Sequence, residues 1–241
     1  MKYSYSLAVL PLISGVLAAP AEKQARPSVG GPLKQKKHPE TGFVTDSNWA
    51  GAVQEGSGWI SVTAETVIPV ISGGSQNAGA AGWVGIDGAN CHSAILQTGV
   101  QALGDGTVAA WYEWWPEDPV YYGDQFPVKG GDKLRMTVNA TSANSGTSSL
   151  ENLSTGASVT TPFNNMRESL CLTDAEWIIE LGGGASELAN FGTWSFTDAS
   201  ATSQSGSSSP AGSEPYNIAD GNGNLLTDCS GSASGVTCKY I

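Results

Sequence analysis

The strongest β-strand signal in the chain is the segment Val108-Ala109-Ala110-Trp111-Tyr112-Glu113-Trp114-Trp115. Successive side chains on a strand point to opposite faces, so Trp111, Glu113 and Trp115 share one face. Trp114 lies on the other. The simplest interpretation is that all of these rings pack a core. Because tryptophan occurs on both faces, we predict instead that one face packs the core and the other lines a groove beside a carboxylate.

The same pattern recurs as short runs rich in Val, Ile, Thr, Trp and Tyr, bounded by clusters of Gly, Asn, Asp and Ser. These further runs are Trp59 to Val70, Ala81 to Asp87, Leu134 to Thr141, Ser158 to Phe163 and Thr193 to Asp198. No helical periodicity is sustained, and about 200 residues are enough for one large core. We therefore predict an all-β fold, an antiparallel sandwich of two sheets.

Three segments carry additional local signals. Thr173-Asp174-Ala175-Glu176 resembles a helix capping box, but the following Trp177-Ile178-Ile179 favours a strand, which we predict here. Residues 199–215 are rich in Ser, Gly and Pro and are predicted to form a surface loop. Asn139 and Asn152 begin Asn-X-Ser/Thr sequons and are candidate glycosylation sites.

The N-terminus has the parts of a secretory signal peptide. Lys2 gives a positive start, Leu7 to Leu17 form a short apolar run, and Val16-Leu17-Ala18 precedes the expected cleavage point. The apolar run is too short to span a bilayer. We predict a signal peptide over residues 1–18 and a secreted, extracellular product without membrane attachment.

Residues 19–45 differ in composition from the rest of the chain. They contain five Lys and Arg against two Glu, and four prolines disfavour regular structure. A solvated linker and a cleavable propeptide both fit this composition. The position between a signal peptide and a compact domain favours the propeptide, with cleavage after Lys37 in the Lys36-Lys37 pair. Residues 46–241 then form a single domain.

The predicted mature domain is strongly acidic. From His38 onward the chain has five Lys and Arg and 21 Asp and Glu, a formal charge of −16. This charge disfavours binding to nucleic acid or to anionic membranes, so we expect neither as a partner. The basic propeptide complements it and is a candidate inhibitor of its own domain. We expect the mature domain to be a monomer.

The four cysteines fit an oxidising compartment, where they allow three pairings. Cys229 and Cys238 enclose a turn-like Ser/Gly segment, which favours a local hairpin bridge. The remaining pair is then Cys91 with Cys171. We predict the disulfides Cys91–Cys171 and Cys229–Cys238.

Most catalytic chemistries lack the residues that they need. The chain has two histidines, His38 and His92, too few for a histidine metal cluster, and His92 adjoins a predicted disulfide. A catalytic cysteine is disfavoured if all four pair. No Gly-rich phosphate loop is present, and there are no paired Asp-Thr/Ser-Gly loops of the pepsin type. We expect no metal and no cofactor, which leaves carboxylate chemistry.

One carboxylate option is sugar chemistry. A glycosidase needs two carboxylates at a defined separation, and the candidates are Glu113 with Glu176 or Asp87 with Glu113. A carbohydrate-binding module that uses Glu113 and the Trp-rich face is related to it. This alternative stays open at the level of the sequence.

A second option rests on two polar residues in apolar surroundings. Ala94-Ile95-Leu96-Gln97-Thr98-Gly99 contains one glutamine, and Ala175-Glu176-Trp177-Ile178-Ile179-Glu180 contains Glu176 among apolar residues. An unmet buried hydrogen bond costs about 1–3 kcal/mol, and a buried carboxylate costs more. A chain that retains both residues is expected to use them.

The chain resembles the fungal glutamic peptidases, the eqolisin family, from about residue 47 to its C-terminus. Six sequence blocks match in the family's order. They are Ser47-Asn48-Trp49-Ala50-Gly51-Ala52, Trp83-Val84-Gly85-Ile86-Asp87-Gly88, the segments 94–99 and 175–180 quoted above, Trp111-Tyr112-Glu113-Trp114, and Leu150-Glu151-Asn152-Leu153-Ser154-Thr155-Gly156.

The resemblance implies a concanavalin A-like jelly roll and a pepstatin-insensitive acid endopeptidase that acts on polypeptides. Its catalytic pair corresponds to Glu176 and Gln97. Residues expected to bind substrate or support the site are Trp49, Trp83, Asp87, Trp111, Glu113 and Trp115. Trp115 is a departure, because relatives often have tyrosine there.

The implied mechanism makes a physical demand on Glu176. The ionised carboxylate would take a proton from water and return it to the leaving amine, while Gln97 stabilises the oxyanion. A free glutamate has a pKa near ~4.3. Ionisation in acid therefore requires hydrogen bonds or dipoles that favour the anion.

Overall fold

A computed structural model of the chain describes residues 36–37, 42–71, 75–182 and 184–241. The predicted signal peptide and most of the predicted propeptide lie outside these residues. Over the described ranges the chain contains no helix with the length and apolar character needed to cross a membrane. In the part of the chain that the structure describes, one short 3-10 helix, Gly123–Gln125, occurs among the β-strands.

Eighteen strands follow in order along the described residues. They are β1 (Lys36–Lys37), β2 (Val44–Asp46), β3 (Trp49–Glu55), β4 (Trp59–Val67), β5 (Ala78–Ile86), β6 (Ile95–Leu103), β7 (Val108–Trp115), β8 (Val120–Tyr121), β9 (Lys133–Ser142), β10 (Ser145–Asn152), β11 (Ala157–Phe163), β12 (Asp174–Glu180), β13 (Glu187–Leu188), β14 (Thr193–Ser203), β15 (Gly206–Ser208), β16 (Glu214–Ile218), β17 (Thr227–Ser232) and β18 (Gly235–Tyr240).

The strands form two sheets, which confirms the predicted all-β sandwich. Sheet I has the order β1-β2-β16-β3-β12-β5-β6-β7-β8, with β13 paired to β5. Sheet II has the order β11-β10-β9-β4-β14-β18-β17, with β15 paired to β14. Pairing is antiparallel except between β2 and β16 and between β5 and β13.

Period-2 alternation sorts the apolar side chains into two clusters. The larger lies between the sheets, where Leu134, Met136 and Val138 of β9 are fully buried. The second lies on the outward face of sheet I and includes Trp49, Trp83, Trp111, Ile178 and Tyr216. Sheet I is therefore apolar on both faces.

Strand β7 has the two faces that its sequence predicts. Ala110 and Trp114 belong to the core between the sheets, whereas Trp111 belongs to the outward cluster and Trp115 packs against it. The carboxylate of Glu113 lies on the outward face with Trp111. The tryptophans on two faces thus serve two separate clusters.

The secondary structure predicted for residues 173–180 is confirmed, whereas that predicted for residues 199–215 is not. The predicted strand over Trp177-Ile178-Ile179 is confirmed, since β12 extends from Asp174 to Glu180. The predicted loop over 199–215 is wrong, because this segment includes the end of β14, all of β15 and the start of β16. Ala199 and Ala201 are buried in alternation along β14. Small residues hid this strand pattern from an interpretation based on composition.

The predicted domain start at residue 46 falls inside a strand. Val44 of β2 is fully buried, and β2 pairs in parallel with β16. The main chain of Lys36–Lys37 pairs antiparallel with β2. The compact fold therefore includes Val44, and the predicted cut after Lys37 would leave β2 with the domain.

Both predicted disulfides, Cys91–Cys171 and Cys229–Cys238, are present. The two sequons differ in access. Asn152 is 1% exposed, and its Nδ2 donates to Asp132 Oδ2 at 2.9 Å, so the folded domain does not offer this amide for glycosylation. The prediction at Asn152 is corrected accordingly. Asn139 is half-buried on the face of β9 that points away from the core, and it stays a prediction.

Candidate active site

The register of sheet I places Glu176 and Gln97 in one row across the outward face. Glu176 pairs with Gly85, Gly85 with Gln97, and Gln97 with Glu113. Paired residues point to the same face, so the row presents a carboxylate, a gap, an amide and a second carboxylate. Glu176 and Gln97 are two strand spacings apart, roughly 9–10 Å between main chains.

Gly85 contributes no side chain between the two polar side chains. A Cβ atom added at this position would lie 2.9 Å from Cζ3 of Trp83 and 3.4 Å from Cβ of Gln97. The side-chain direction of Gly85 therefore points between Trp83 and Gln97. Glycine at this position allows the Trp83 ring to pack over the main chain between Glu176 and Gln97.

A second row, parallel to the first, supplies aromatic walls. Ile178 pairs with Trp83, Trp83 with Gly99, and Gly99 with Trp111. A Cβ atom added at Gly99 would lie 2.5 Å from Cβ of Trp83, so glycine is needed for Trp83 to lie over it. Trp49 contacts Trp83 edge to face, with ring centroids 4.8 Å apart.

The carboxyl group of Glu176 is fully buried. Its Oε1 accepts a hydrogen bond from the Ala89 main-chain N–H at 3.0 Å. Burial raises the pKa of Glu176 well above its ordinary value, and the charges of Asp174 and Asp87 raise it further. The Ala89 amide lowers the pKa but does not outweigh burial.

Gln97 and Glu113 form a buried pair beside Glu176. Gln97 Nε2 donates to Glu113 Oε2 at 2.7 Å, and both side chains are at most 1% exposed. Burial, followed by the charge of Glu180, raises the pKa of Glu113 to about 10. Glu113 is therefore a neutral acid throughout the acidic and neutral range, and it restricts the orientation of the Gln97 amide.

The row geometry disfavours the glycosidase alternative. Glu113 and Glu176 are three strand spacings apart, roughly 14 Å between main chains. In glycosidases the two carboxyl groups face each other across about 5–9.5 Å, whereas here the Gln97 side chain lies between Glu113 and Glu176 and is hydrogen-bonded to Glu113. The other candidate pair uses Asp87, whose carboxylate is committed to main-chain amides.

Asp87 is a structural ligand for the segment that leads into β12. Its two oxygens accept the main-chain N–H groups of four consecutive residues at 2.7–3.2 Å, and also the Thr173 hydroxyl at 3.2 Å. Those four residues are Cys171, Leu172, Thr173 and Asp174. Asp87 itself has a positive φ of 68°, which turns the chain at the end of β5. Asp87 thus fixes the segment that leads into β12, the strand that carries Glu176.

The structure brings together the remaining predicted residues and adds two more. Trp49, Trp83 and Trp111 are fully buried in the outward cluster, and Trp115 packs against it. Glu180, missed in the sequence, accepts Trp83 Nε1 at 2.8 Å and Asn48 Nδ2 at 2.6 Å. Gln101, also missed, accepts the Tyr121 hydroxyl at 3.0 Å. Each lies four residues beyond a predicted catalytic residue on the same strand, so period 2 is the signal that identifies them.

No cluster suited to a metal ion occurs in the ranges that the structure describes. In those ranges no three His, Cys, Asp or Glu residues converge as ligands would. The polar groups of the outward face are carboxyl, carboxamide and indole groups. This set can transfer a proton and stabilise an oxyanion.

Comparison with known proteins gives consistent matches over the whole domain. A sequence profile of the Peptidase A4 family matches residues 47–240. Scytalidopepsin B of Scytalidium lignicola is 39% identical over 268 residues, and Aspergillopepsin-2 of Aspergillus niger is 37% identical over 284 residues; both alignments cover 100% of each chain. A solved structure of SCP-B, a member of the eqolisin family of peptidases in complex with the tripeptide Ala-Ile-His, superposes with a TM-score of 0.71 at 41% identity, covering 81% of this chain and 98% of the other.

Proposed function

Since the chain belongs to the Peptidase A4 family of glutamic endopeptidases, we propose that Glu176 and Gln97 are its catalytic pair. One observation carries this proposal. The register of sheet I aligns these side chains in one row on either side of Gly85, which adds no side chain of its own between them, and the ring of Trp83 lies over this glycine. A scissile carbonyl and a water molecule bound between Glu176 and Gln97 would lie within reach of both.

In this mechanism Glu176 moves the proton and Gln97 holds the oxygen. The Glu176 carboxylate takes a proton from water as the water oxygen bonds to the carbonyl carbon. The carbonyl oxygen becomes an oxyanion, which an N–H of Gln97 stabilises. Glu176 then gives the proton to the amine nitrogen as the C–N bond breaks.

The neutral state of Glu113 suits this chemistry. An anionic Glu113 would place a negative charge beside the oxyanion and oppose its formation. Because the pKa of Glu113 is raised to about 10, the residue stays neutral while it accepts a hydrogen bond from Gln97. Glutamine does not titrate, so its donor is retained in acid.

The raised pKa of Glu176 opposes the mechanism, because the base must be ionised. Burial raises this pKa, so in the closed site the carboxylate forms only above the ordinary range of a glutamate. Exposure of the site to solvent removes part of this effect, because water solvates the anion. The Ala89 amide then favours the ionised form needed for acid catalysis.

Peptide substrates fit the polar groups of the outward face. The eqolisin peptidase noted above binds a tripeptide in its solved structure. Within the described residues, Trp111 Nε1 and Gln101 Nε2 are buried donors with no hydrogen-bond partner. They suit the carbonyl oxygens of an extended peptide. Insensitivity to pepstatin is expected because the two Asp-Thr/Ser-Gly loops of pepsin-type enzymes are lacking.

We further propose that the protein is secreted, is made as an inactive precursor and acts as a monomer. Residues 1–18 and the basic residues 19–45 support the first two proposals. Glu176 and Gln97 are fully buried, so activity requires that a peptide gain access to them. Cleavage after Lys37 is the activating step that the sequence offers, and the basic segment is a candidate inhibitor of the acidic domain.

The test is hydrolysis of a denatured protein by the processed enzyme at acid pH, with pepstatin present and with polysaccharides assayed in parallel. Glu176→Gln and Gln97→Ala should each lower kcat/KM by about 10²–10⁴-fold with the fold retained. The control Glu151→Gln, at a half-buried position on sheet II, should retain wild-type activity. Normal turnover in Glu176→Gln would overturn the proposed pair. Cleavage of polysaccharide alone would restore the glycosidase interpretation.

A further inference from the structure

Two segments beside Glu176 are joined by reciprocal hydrogen bonds, in which a carboxylate of each segment accepts main-chain amides of the other. From the turn after β5, Asp87 accepts the main-chain amides of residues 171–174. In return, Asp174 accepts the main-chain amides of Asn90 at 2.8 Å and Cys91 at 3.3 Å, and Asn90 Nδ2 at 2.8 Å. The disulfide between Cys91 and Cys171 joins the same two segments.

The Asp174 hydrogen bonds are a third connection between these two segments. The disulfide and Asp87 already connect them, yet Asp174 is fully buried. A buried carboxylate costs free energy even when it is hydrogen-bonded. Because Asp174 also lies near the carboxyl groups of Asp87 and Glu176, this cost suggests that Asp174 does more than join the two segments.

The link to the proposed base is direct. Three consecutive main-chain amides bind two carboxylates of the same strand: Ala89 donates to Glu176, and Asn90 and Cys91 donate to Asp174. Asp174 and Glu176 are two residues apart on β12 and therefore lie on one face. The position of the Ala89 amide thus depends on how firmly Asp174 holds the next two residues.

We propose that Asp174 is a positioning residue for peptide hydrolysis, which holds the Ala89 amide against Glu176 and sets a second negative charge beside it. The inference rests on the proposed role of Glu176 as the base. In this role Asp174 acts through the main chain of Asn90 and Cys91 and not by contact with the substrate.

The charge of Asp174 acts within a mostly acidic environment. Its effect on the pKa of Glu176 is upward, second only to burial, and the charges of Asp87 and Glu180 act in the same direction. Asp174 and Glu180 of β12 and Asp87 after β5 act directly on Glu176. The other titratable groups on the elements packed around it in the described residues are Glu55 of β3, His92 after β5, Glu113 of β7, and Glu214 and Tyr216 of β16. His92 Nε2 lies 3.0 Å from the Ala89 carbonyl oxygen and is the only basic group of this set.

Asp174→Asn separates the charge from the hydrogen bonds. The side-chain carbonyl of asparagine can still accept the amides of Asn90 and Cys91, but the negative charge is gone. Glu176 then ionises more easily, so the acid limb of the kcat/KM profile should move to lower pH by about 0.5–1 unit. At the optimum, kcat should stay within about threefold of wild type.

Asp174→Ala removes the hydrogen bonds as well. The Ala89 amide is no longer held, and kcat should fall about 10–100-fold with KM within about twofold. Asp132→Asn is the matched control. Asp132 is 5% exposed and accepts Lys129 N at 3.1 Å and Asn152 Nδ2 at 2.9 Å, at the turn before β9 in sheet II. It should lower thermal stability comparably and leave the acid limb unmoved.

The deciding experiment measures the pH profiles of Asp174→Asn, Asp132→Asn and Glu176→Gln on the processed enzyme. An inactive Glu176→Gln together with an unshifted acid limb in Asp174→Asn would overturn the positioning role alone. Normal activity of Glu176→Gln would instead overturn the proposed catalytic pair.

A second variant keeps the inference testable if the Asp174 variants do not fold. Asn90 is exposed, and Asn90→Ala removes its Nδ2 bond to Asp174 at 2.8 Å together with a longer one to Glu55 at 3.2 Å, while the main-chain amide of residue 90 can still donate to Asp174. We expect kcat to fall about two- to fivefold with KM unchanged. Wild-type kcat in Asn90→Ala would overturn the proposal.

Discussion

Glu65 and Glu113 are buried glutamates on opposite sheets, and their surroundings push their pKa values in opposite directions. On sheet II, Glu65 Oε2 lies 2.5 Å from Lys133 Nζ and Oε1 lies 2.5 Å from Arg135 Nη2. The Lys133 hydrogen bond is the main reason that the pKa of Glu65 is lowered. On sheet I, Glu113 accepts a hydrogen bond from Gln97. Burial, followed by the charge of Glu180, raises its pKa to about 10.

This contrast distinguishes a structural carboxylate from the carboxylates of the proposed active site. The acidic domain has five Lys and Arg residues, and two of them, Lys133 and Arg135, form ion pairs with Glu65. None forms an ion pair with Glu113 or Glu176 in the described part of the chain. Carboxyl groups with raised pKa values can hold and release protons, which is what acid–base chemistry needs.

The largest expected effect tests whether the row of sheet I is built for a reacting group. Gly85→Ala puts a methyl group 2.9 Å from Trp83 and 3.4 Å from Gln97, so the Trp83 ring must shift in the row between Glu176 and Gln97. We expect kcat/KM to fall about 10²-fold, beyond what lost stability explains, as measured by peptide hydrolysis alongside thermal unfolding.

Gly146→Ala on sheet II is the matched substitution. Its Cβ would lie 2.4 Å from the Asn139 carbonyl oxygen, so the variant should unfold at lower temperature. The folded fraction should keep wild-type kcat/KM. Equal loss of activity in both glycine variants would remove the distinction between the two sheets.

Local pattern predicted the faces of single strands but not their register. Alternation along Val108–Trp115 identified the two faces of β7, and apolar surroundings singled out Gln97 and Glu176. The position of Gly85 between them depends on pairing among β12, β5 and β6, which are distant in sequence. No pattern near Asp174 indicates that its partners are the amides of Asn90 and Cys91.

The next effect concerns stability and its dependence on pH. An unfolded glutamate loses its proton near pH ~4.3, but folded Glu113 keeps it up to about pH 10. Folding stability therefore falls as pH rises across that interval. Glu113→Gln should raise Tm at pH 7 by at least about 2–4 °C, the equivalent of 1 kcal/mol, and leave Tm at pH 3 nearly unchanged.

Glu65→Gln should give the opposite sign. Because the folded pKa of Glu65 is lowered, its contribution is complete above the unfolded pKa and is lost as pH falls through the folded value. The variant should lower Tm at pH 7 by about 1–3 °C, less than a fully buried pair would, since Lys133 and Arg135 are 46% and 43% exposed. Thermal unfolding at pH 3 and pH 7 measures both variants, and shifts of the same sign at pH 7 would contradict the comparison.

The smallest expected effect is the salt dependence of these Tm differences, which should differ between Glu65 and Glu113. Lys133 and Arg135 are partly exposed, so ions screen their attraction to Glu65, with a screening length of about 3 Å at 1 M salt. Glu113 and Gln97 are at most 1% exposed, and their environment excludes ions. At pH 7, 1 M NaCl should shrink the Tm difference between wild type and Glu65→Gln by about half and leave the difference for Glu113→Gln within error. A salt-sensitive Glu113→Gln would mean that water and ions reach the Gln97–Glu113 pair, and burial would then no longer explain why Glu113 stays neutral.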